Sequence, residues 1–377
     1  MITMPTRDNS AGRPTWLEID LDAIQHNFAM AQRAVAPGVA LFPVVKANGY
    51  GLGVLPIAQR LLEAGADGLC VAMVEEADLL RRAGIQQPIV LLSGLSAGLE
   101  QAVVALNLQP FVFDLAALPR LSRAAGTRTV PLFLKINTGM GRLGLTADTV
   151  AEAVASARAL PGLHLDGLVA HLAAADQPDH PSNSQQLHNL LDLLTRFDLT
   201  GRRASLANSA AILSRPDTHL AWVRPGIMLY GASPFFPANT GRAIGLQPVV
   251  RWCTRILQIS TLSPGESVGY GHTFIAQRPS RIAILPVGYA DGYSRSLGNQ
   301  ATVLVAGQRA PVVGRVSMDT IAIDLTDLPP VATGQPVTLL GNDGEAHIDV
   351  EEMAAWRGTI PYEVFCNLGE RVPRYYV

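Results

Sequence analysis

From about residue 40 the hydrophobic positions fall into a repeating unit of a short apolar run, a turn and an amphipathic stretch. The runs are Leu41–Lys46, Gly68–Met73, Ile89–Ser93, Phe111–Asp114, Val130–Asn137, Leu165–Leu172, Ala204–Ser209 and Trp222–Leu229. Between them, apolar residues recur at helical spacing in Val54–Ala64, Glu75–Ala83, Ala116–Ala125, Thr146–Leu160 and Gln185–Phe197. Gly65, Gly84 and Gly126 stand just past three of those stretches, where a helix ends on a left-handed residue. Short apolar runs alternating with helices give βαβ units and parallel strands. Eight such strands in about 200 residues match a (β/α)₈ barrel, although an open doubly wound sheet would show the same spacing.

After about Arg242 the pattern changes. Val249–Ser260, Arg281–Val287, Ala301–Val305, Pro311–Val316, Thr320–Leu325 and Val337–Leu340 are β-rich and divided by Pro-Gly, Asp-Gly and Ala-Gly turns. One convincing helix follows, near Val350–Trp356. Near the start, Trp16–Leu21 reads as a strand and Asp22 to Ala36 as a helix. The expected fold class is α/β, in three parts. A polar tail covers residues 1–14, a TIM-like (β/α)₈ barrel 15–242, and a mainly antiparallel β domain 243–377, whose edge can include the strand at 16–21.

Composition narrows the function. At 377 residues the chain is longer than one core usually supports, in keeping with two domains. It has 29 Lys+Arg against 31 Asp+Glu, a net charge of −2 and only 16% charged residues, which argues against a nucleic-acid partner. No apolar run is long enough to span a bilayer, and the polar opening has no signal-peptide core. Cys70, Cys253 and Cys366 are widely spaced, forming neither a disulfide framework nor a metal set, so no metal and a cytoplasmic location are expected.

In a barrel the chemistry sits at the C-terminal ends of the strands. Those ends supply Lys46, Asp114, Lys135 with Asn137, His171, Asn208 with Ser209, and Arg224 with Gly226. Lys46, in Val44-Val45-Lys46-Ala47-Asn48-Gly49-Tyr50-Gly51, suits a Schiff-base amine or a general base. A strand-end lysine covering apolar surface with its stem explains it equally well. Gly139-Met140-Gly141-Arg142-Leu143-Gly144 follows a strand, with Asp166 about twenty residues on. That fits a dinucleotide fingerprint, and so an NAD-dependent dehydrogenase, or else a plain glycine-rich turn. Ser209 and the amides near Gly226 and Ile227 suit a phosphate, while Ser209 alone suits a helix N-cap. His171 has no second metal ligand at helical spacing, and no Gly-x-Ser-x-Gly elbow announces a hydrolase. Tyr270, between Gly269 and Gly271, reads as an exposed acid or base, or else as an ordinary hairpin aromatic. Tyr289, Asp291 and Arg295 form a further polar cluster, as do Ser317, Met318 and Asp319.

As a set, these motifs resemble the alanine racemases, a family of fold-type III pyridoxal-phosphate enzymes, from about Trp16 to the end. The resemblance implies that Lys46 carries the cofactor, that Tyr50, Ser209, Gly226, Ile227 and Tyr362 hold its phosphate, and that Asn208 also binds the cofactor. It places His171 against the pyridine ring and Arg224 at the ring nitrogen. It makes Tyr270 the second catalytic base, Lys135 a carboxylated lysine beside Arg142, and Arg142, Tyr289, Met318 and Asp319 substrate contacts. The implied activity is interconversion of L-alanine and D-alanine, supplying D-alanine for peptidoglycan, by a cytoplasmic head-to-tail homodimer whose sites are shared between subunits. A broader amino-acid racemase or a decarboxylase of the same fold is the alternative, and a non-catalytic pyridoxal-phosphate-binding protein is the alternative from another class. The chain departs from the family pattern at Gly49 and Leu52, where Ala and His are usual, at Asn137 in place of Asp, and at Ser205 in place of His.

Overall fold

The computed structural model describes residues 13–201 and 203–377, so most of the tail expected at 1–14 lies outside the described residues. The chain forms two compact units. One is Ile24–Leu229, and the other joins the residues up to Ala23 to Tyr230–Val377. Trp16–Ile19 (β1) belongs to the second.

In the first unit the strands are Ala40–Leu41 (β2), Leu69–Val71 (β3), Ile89–Leu91 (β4), Leu108–Val112 (β5), Val130–Lys135 (β6), Leu163–Val169 (β7) and Trp222–Val223 (β8). β3 to β7 form a parallel sheet in chain order, and β2 pairs in parallel with β8. Single bridges from Val44 to Cys70, Val169 to Ser205 and Asn208 to Arg224 join these pieces. The sheet therefore closes into a barrel, and the open-sheet alternative falls. The seventh strand expected at Ala204–Ser209 is reduced to its two bridges.

β7 beside it is irregular too. Its register against β6 shifts beside Phe133, and a Cβ on Gly167 would sit 1.7 Å from the Arg203 carbonyl oxygen. The incoming backbone presses onto the one residue that has no side chain to resist it. Gly167→Ala is expected to destabilise the protein by about 3 kcal/mol, because the obstacle is backbone and cannot rotate away. A lowered urea midpoint with an unchanged slope would register this, and an unchanged midpoint would refute it.

Phe42, Phe111, Phe133 and Trp222 fill the barrel interior, with ring centroids 5.0 to 6.4 Å apart. Trp222 lies within cation–π distance of two guanidinium groups, Arg203 at 5.8 Å and Arg224 at 5.6 Å. The helices match the periodic stretches, with Pro181–Arg196 starting earlier than expected because Pro181 takes a first-turn position behind the His180 cap. Glu100–Ala105 and Ser209–Ser214 are too short to show a period.

In the second unit β1 pairs antiparallel with Val250–Arg255 and parallel with Arg374–Tyr376. It is an interior strand, since Arg374–Tyr376 takes the edge position expected for it. The remaining ladders of this ten-stranded sheet are antiparallel. Two helices, Val350–Arg357 and Pro361–Cys366, stand where the pattern predicts one. The second spans under two turns, below the length at which a period is visible. Among the described residues no helix is long and apolar enough to cross a membrane, and no group of His, Cys, Asp and Glu could hold a metal ion.

Candidate active site

Lys46 follows Val45, whose N–H reaches the Cys70 carbonyl at 2.9 Å on the rim of the barrel. The next four residues, Ala47, Asn48, Gly49 and Tyr50, all have φ between +53° and +61°. L-residues resist this conformation by about 1–2 kcal/mol each, so a left-handed turn persists only where its surroundings hold it. Gly49 at its centre escapes the penalty that alanine would bring. Gly49 N–H donates to Val45 O at 2.9 Å, Gly51 N–H to Ala47 O at 2.7 Å, and Val54 N–H to Asn48 Oδ1 at 3.0 Å. The Glu76 carboxylate accepts from Ala47 N–H at 2.6 Å. The turn leaves Lys46 exposed and sends the Tyr50 hydroxyl inward.

Tyr50 meets the end of β8. A Cβ on Gly226 would lie 2.7 Å from the Tyr50 hydroxyl oxygen, so only glycine lets the two approach. Gly226 N–H donates to Ser209 Oγ at 2.7 Å, which makes the glycine's own role steric. Ile227 begins a 3₁₀ turn, Ile227–Tyr230, and its N–H has no acceptor within that turn. Asn208, not Ser209, caps the helix Ser209–Ser214, with Oδ1 accepting from Ala211 N–H at 3.1 Å. Ser209 is thereby left facing Gly226. Two hydroxyls and a free backbone N–H beside a helix start suit a phosphate dianion.

Arg224 is 4% exposed and its guanidinium is held from several sides. It donates to Ser205 Oγ, to the Ala170 carbonyl at 2.7 Å and to the Leu206 carbonyl at 3.3 Å. Its Nε–H has no protein acceptor among the described residues, leaving a directed donor for a ligand. Ser205 thus supports the arginine in the position where histidine is common. Nδ1 of His171 lies 3.4 Å from Arg224. Burial, and then Arg224, Lys135, Arg142 and Lys46, hold the imidazole well below its ordinary pKa, so His171 is neutral.

Lys135 ends β6, is 8% exposed, and has Nζ 5.4 Å from the Phe111 ring centroid. Burial brings its pKa down to about 7, and the charges of Arg224, Arg142 and Lys46 act in the same direction. Among the described residues no carboxylate pairs with it. The glycine-rich stretch after it does not open a helix. It turns back, with Leu145 N–H on Lys135 O at 2.7 Å, and the next helix starts at Ala147. Asn137 Oδ1 accepts from Gly139 and Gly141 N–H at 3.2 and 2.9 Å, the task an aspartate would have here. The dinucleotide reading therefore fails on geometry, and the loop carries Arg142 instead. Asp114 also leaves the candidate set, since its carboxylate takes Ala116 N–H and Arg120.

The second unit gathers its own candidates. Tyr270 stands in a tight turn between Ser267–Val268 and Phe274–Ile275 and is 70% exposed. Gly288 lies so close to the Met318 carbonyl that a Cβ would be 2.3 Å away, which brings Tyr289 beside Met318 and Asp319. Tyr289 N–H donates to Ser317 O at 3.0 Å. Arg371 ties this cluster down, binding Asp319 at 2.6 Å and the fully buried Asp291 at 2.7 Å. Burial works to raise the Asp291 pKa, but the hydrogen bonds from Arg371, Arg13 and Gly288 N–H outweigh it and lower it. Tyr362 sits on the helix Pro361–Cys366. Sequence reasoning passed over Glu76 and Arg371. Glu76 had a signal, a glutamate at the third position of a helix, which often reaches back to the preceding N–H groups. Arg371 had none.

Two family models cover most of the chain, alanine racemase N-terminal domain over residues 19–234 and alanine racemase C-terminal domain over residues 249–376. An alanine racemase of Azoarcus sp. (strain BH72) is 44% identical over 365 residues, 96% of this chain and 99% of that one. The solved structure of biosynthetic alanine racemase from Pseudomonas aeruginosa is 39% identical with a TM-score of 0.87, covering 97% of this chain and 100% of that one. The structure of alanine racemase from Bartonella henselae with covalently bound pyridoxal phosphate is 32% identical with a TM-score of 0.88, again over 97% and 100%.

Proposed function

The chain belongs to the alanine racemase family, and on that premise we propose how its residues share the work of interconverting L- and D-alanine. The racemase activity is that of the family. The cofactor of our reading is pyridoxal phosphate, linked to Lys46. The observation that carries it is the turn after Lys46, which presents an exposed amine and delivers Tyr50 to Ser209 and Gly226. One short segment thereby serves both ends of a phosphorylated pyridine. When bound, pyridoxal phosphate supplies an electron sink that makes the substrate Cα–H acidic.

The protein's residues do the rest. Tyr50 and Ser209 hydroxyls and the Ile227 N–H hold the phosphate. The Nε–H of Arg224 would donate to the ring nitrogen, and the guanidinium cation there would keep that nitrogen unprotonated. Neutral His171 adds a flat surface without adding charge. Lys46 moves a proton at Cα on one face, and Tyr270 moves one on the other. In this reading Tyr270 comes from a second copy of the chain, in a homodimer with shared sites, and Met318, Asp319 and Tyr289 accompany it. Tyr362 joins the phosphate contacts and Arg142 orients the substrate carboxylate.

The Lys135 amine is suited to carboxylation. A buried lysine with a pKa of about 7 is neutral in a substantial fraction of molecules near pH 7, and the neutral amine can add carbon dioxide and release a proton. The resulting anion would pair with Arg142. A cytoplasmic enzyme supplying D-alanine for peptidoglycan is the role that this chemistry serves.

Borohydride tests the cofactor assignment directly. The purified protein is expected to be yellow, and reduction should fix pyridoxal phosphate on the peptide containing Lys46. A colourless protein, or label on another lysine, would overturn it.

A further inference from the structure

Glu76 belongs to none of the motifs, yet three backbone N–H groups converge on its carboxylate. Oε2 accepts from Ala72 and Met73 N–H, at 2.7 and 3.2 Å. These are the residues before the helix Val74–Arg82, so this half of the carboxylate closes an ordinary N-terminal cap. Oε1 accepts from a different part of the chain, Ala47 N–H at 2.6 Å, next to Lys46. Of the four left-handed residues, Gly49 carries no penalty, Asn48 is held by its own bond to Val54 N–H, and Tyr50 is seated against Gly226. Ala47 has neither a tolerant side chain nor a side-chain bond of its own, and its φ is +53°.

We propose that Glu76 is a positioning residue for Lys46. It locks Ala47 in the left-handed conformation, which fixes the departure angle of the Lys46 side chain and sets Tyr50 at the phosphate. One carboxylate thus governs both ends of the cofactor. The proposal rests on the reading of Lys46 as the cofactor lysine. A glutamine at this position could serve only one of the two sets of donors. With its carbonyl oxygen on Ala72 and Met73, its NH₂ group would face the Ala47 N–H, donor against donor.

The test is a titration of apo-protein with pyridoxal phosphate, followed by the visible absorbance of the lysine-linked cofactor. Glu76→Gln is expected to raise the dissociation constant roughly 10- to 100-fold, the range of a charge-assisted hydrogen bond. Glu75→Gln, at an exposed neighbour on the same helix, should stay within about twofold, inside the small effect expected of a surface substitution. Ala47→Gly added to Glu76→Gln should recover about fivefold or more, because glycine takes the left-handed conformation without being held.

Weakened binding that Ala47→Gly does not recover would mean that Glu76 serves the helix alone, and would overturn the proposal. An unchanged dissociation constant in Glu76→Gln, with normal uptake by the wild type, overturns the positioning role and leaves the cofactor reading standing. Failure of the wild type to take up pyridoxal phosphate at Lys46 overturns both. If Glu76→Gln does not fold, Glu76→Asp, which keeps the charge and shortens its reach, takes its place with the same expectations.

Discussion

Lys46→Ala is expected to lower racemisation in both directions by about 10⁴-fold or more, since on the proposed assignment it removes the covalent anchor and the base of one face together. The loss is symmetric because every turnover passes through the same amine. It should come without unfolding. The lysine side chain is exposed, and the left-handed turn beside it is held by backbone bonds, Asn48 and Glu76, all of which the variant keeps. Polarimetry from each pure enantiomer, alongside a melting curve, separates these effects. A residual rate within about tenfold of wild type, far short of the loss of a catalytic base, would show that Lys46 is not the cofactor lysine.

Tyr270→Phe should break the symmetry that Lys46→Ala preserves. The hydroxyl is the only group removed, and the side chain is 70% exposed, so packing is unaffected. Net racemisation cannot reveal the asymmetry, because the two enantiomers have equal free energy and kcat/KM must stay equal in both directions. Exchange of the α-proton with deuterated solvent can. Exchange from the enantiomer whose proton Tyr270 takes should slow by about 10² to 10⁴-fold, the usual contribution of a general base, while exchange from the other falls far less. Equal losses measured by proton NMR would rule out a two-base mechanism.

The barrel was legible because its strands are short apolar runs separated by periodic helices, and Lys46, Lys135 and Arg224 stand where those runs end. The seventh strand was not, because its place beside β7 depends on the Arg203 backbone lying on Gly167, a contact between residues distant in sequence. The interior position of β1 was equally hidden, since it depends on Arg374–Tyr376, at the far end of the chain, adding a parallel neighbour. Within the site, side-chain identity showed the amine, the hydroxyls and the guanidinium. It could not show that Gly226 serves by its missing side chain, or that Asn208 takes the cap and leaves Ser209 free. The left-handed turn was the least visible feature. Two of its four residues, Ala47 and Tyr50, carry side chains that argue against it, and the carboxylate that holds Ala47 lies a full βα unit further on.

Barrel closure also sets an order of assembly. Tyr50 follows the first strand of the barrel, while Gly226 and Ile227 follow the last, so their meeting closes a loop almost as long as the unit itself. Contacts of such long separation form late in folding, after the local βα units have condensed. A nascent or partly unfolded chain therefore has the lysine but no place for a phosphate. On the proposed cofactor reading, retention of a phosphorylated ligand becomes a property of the finished barrel, a check that its first and last strands have met.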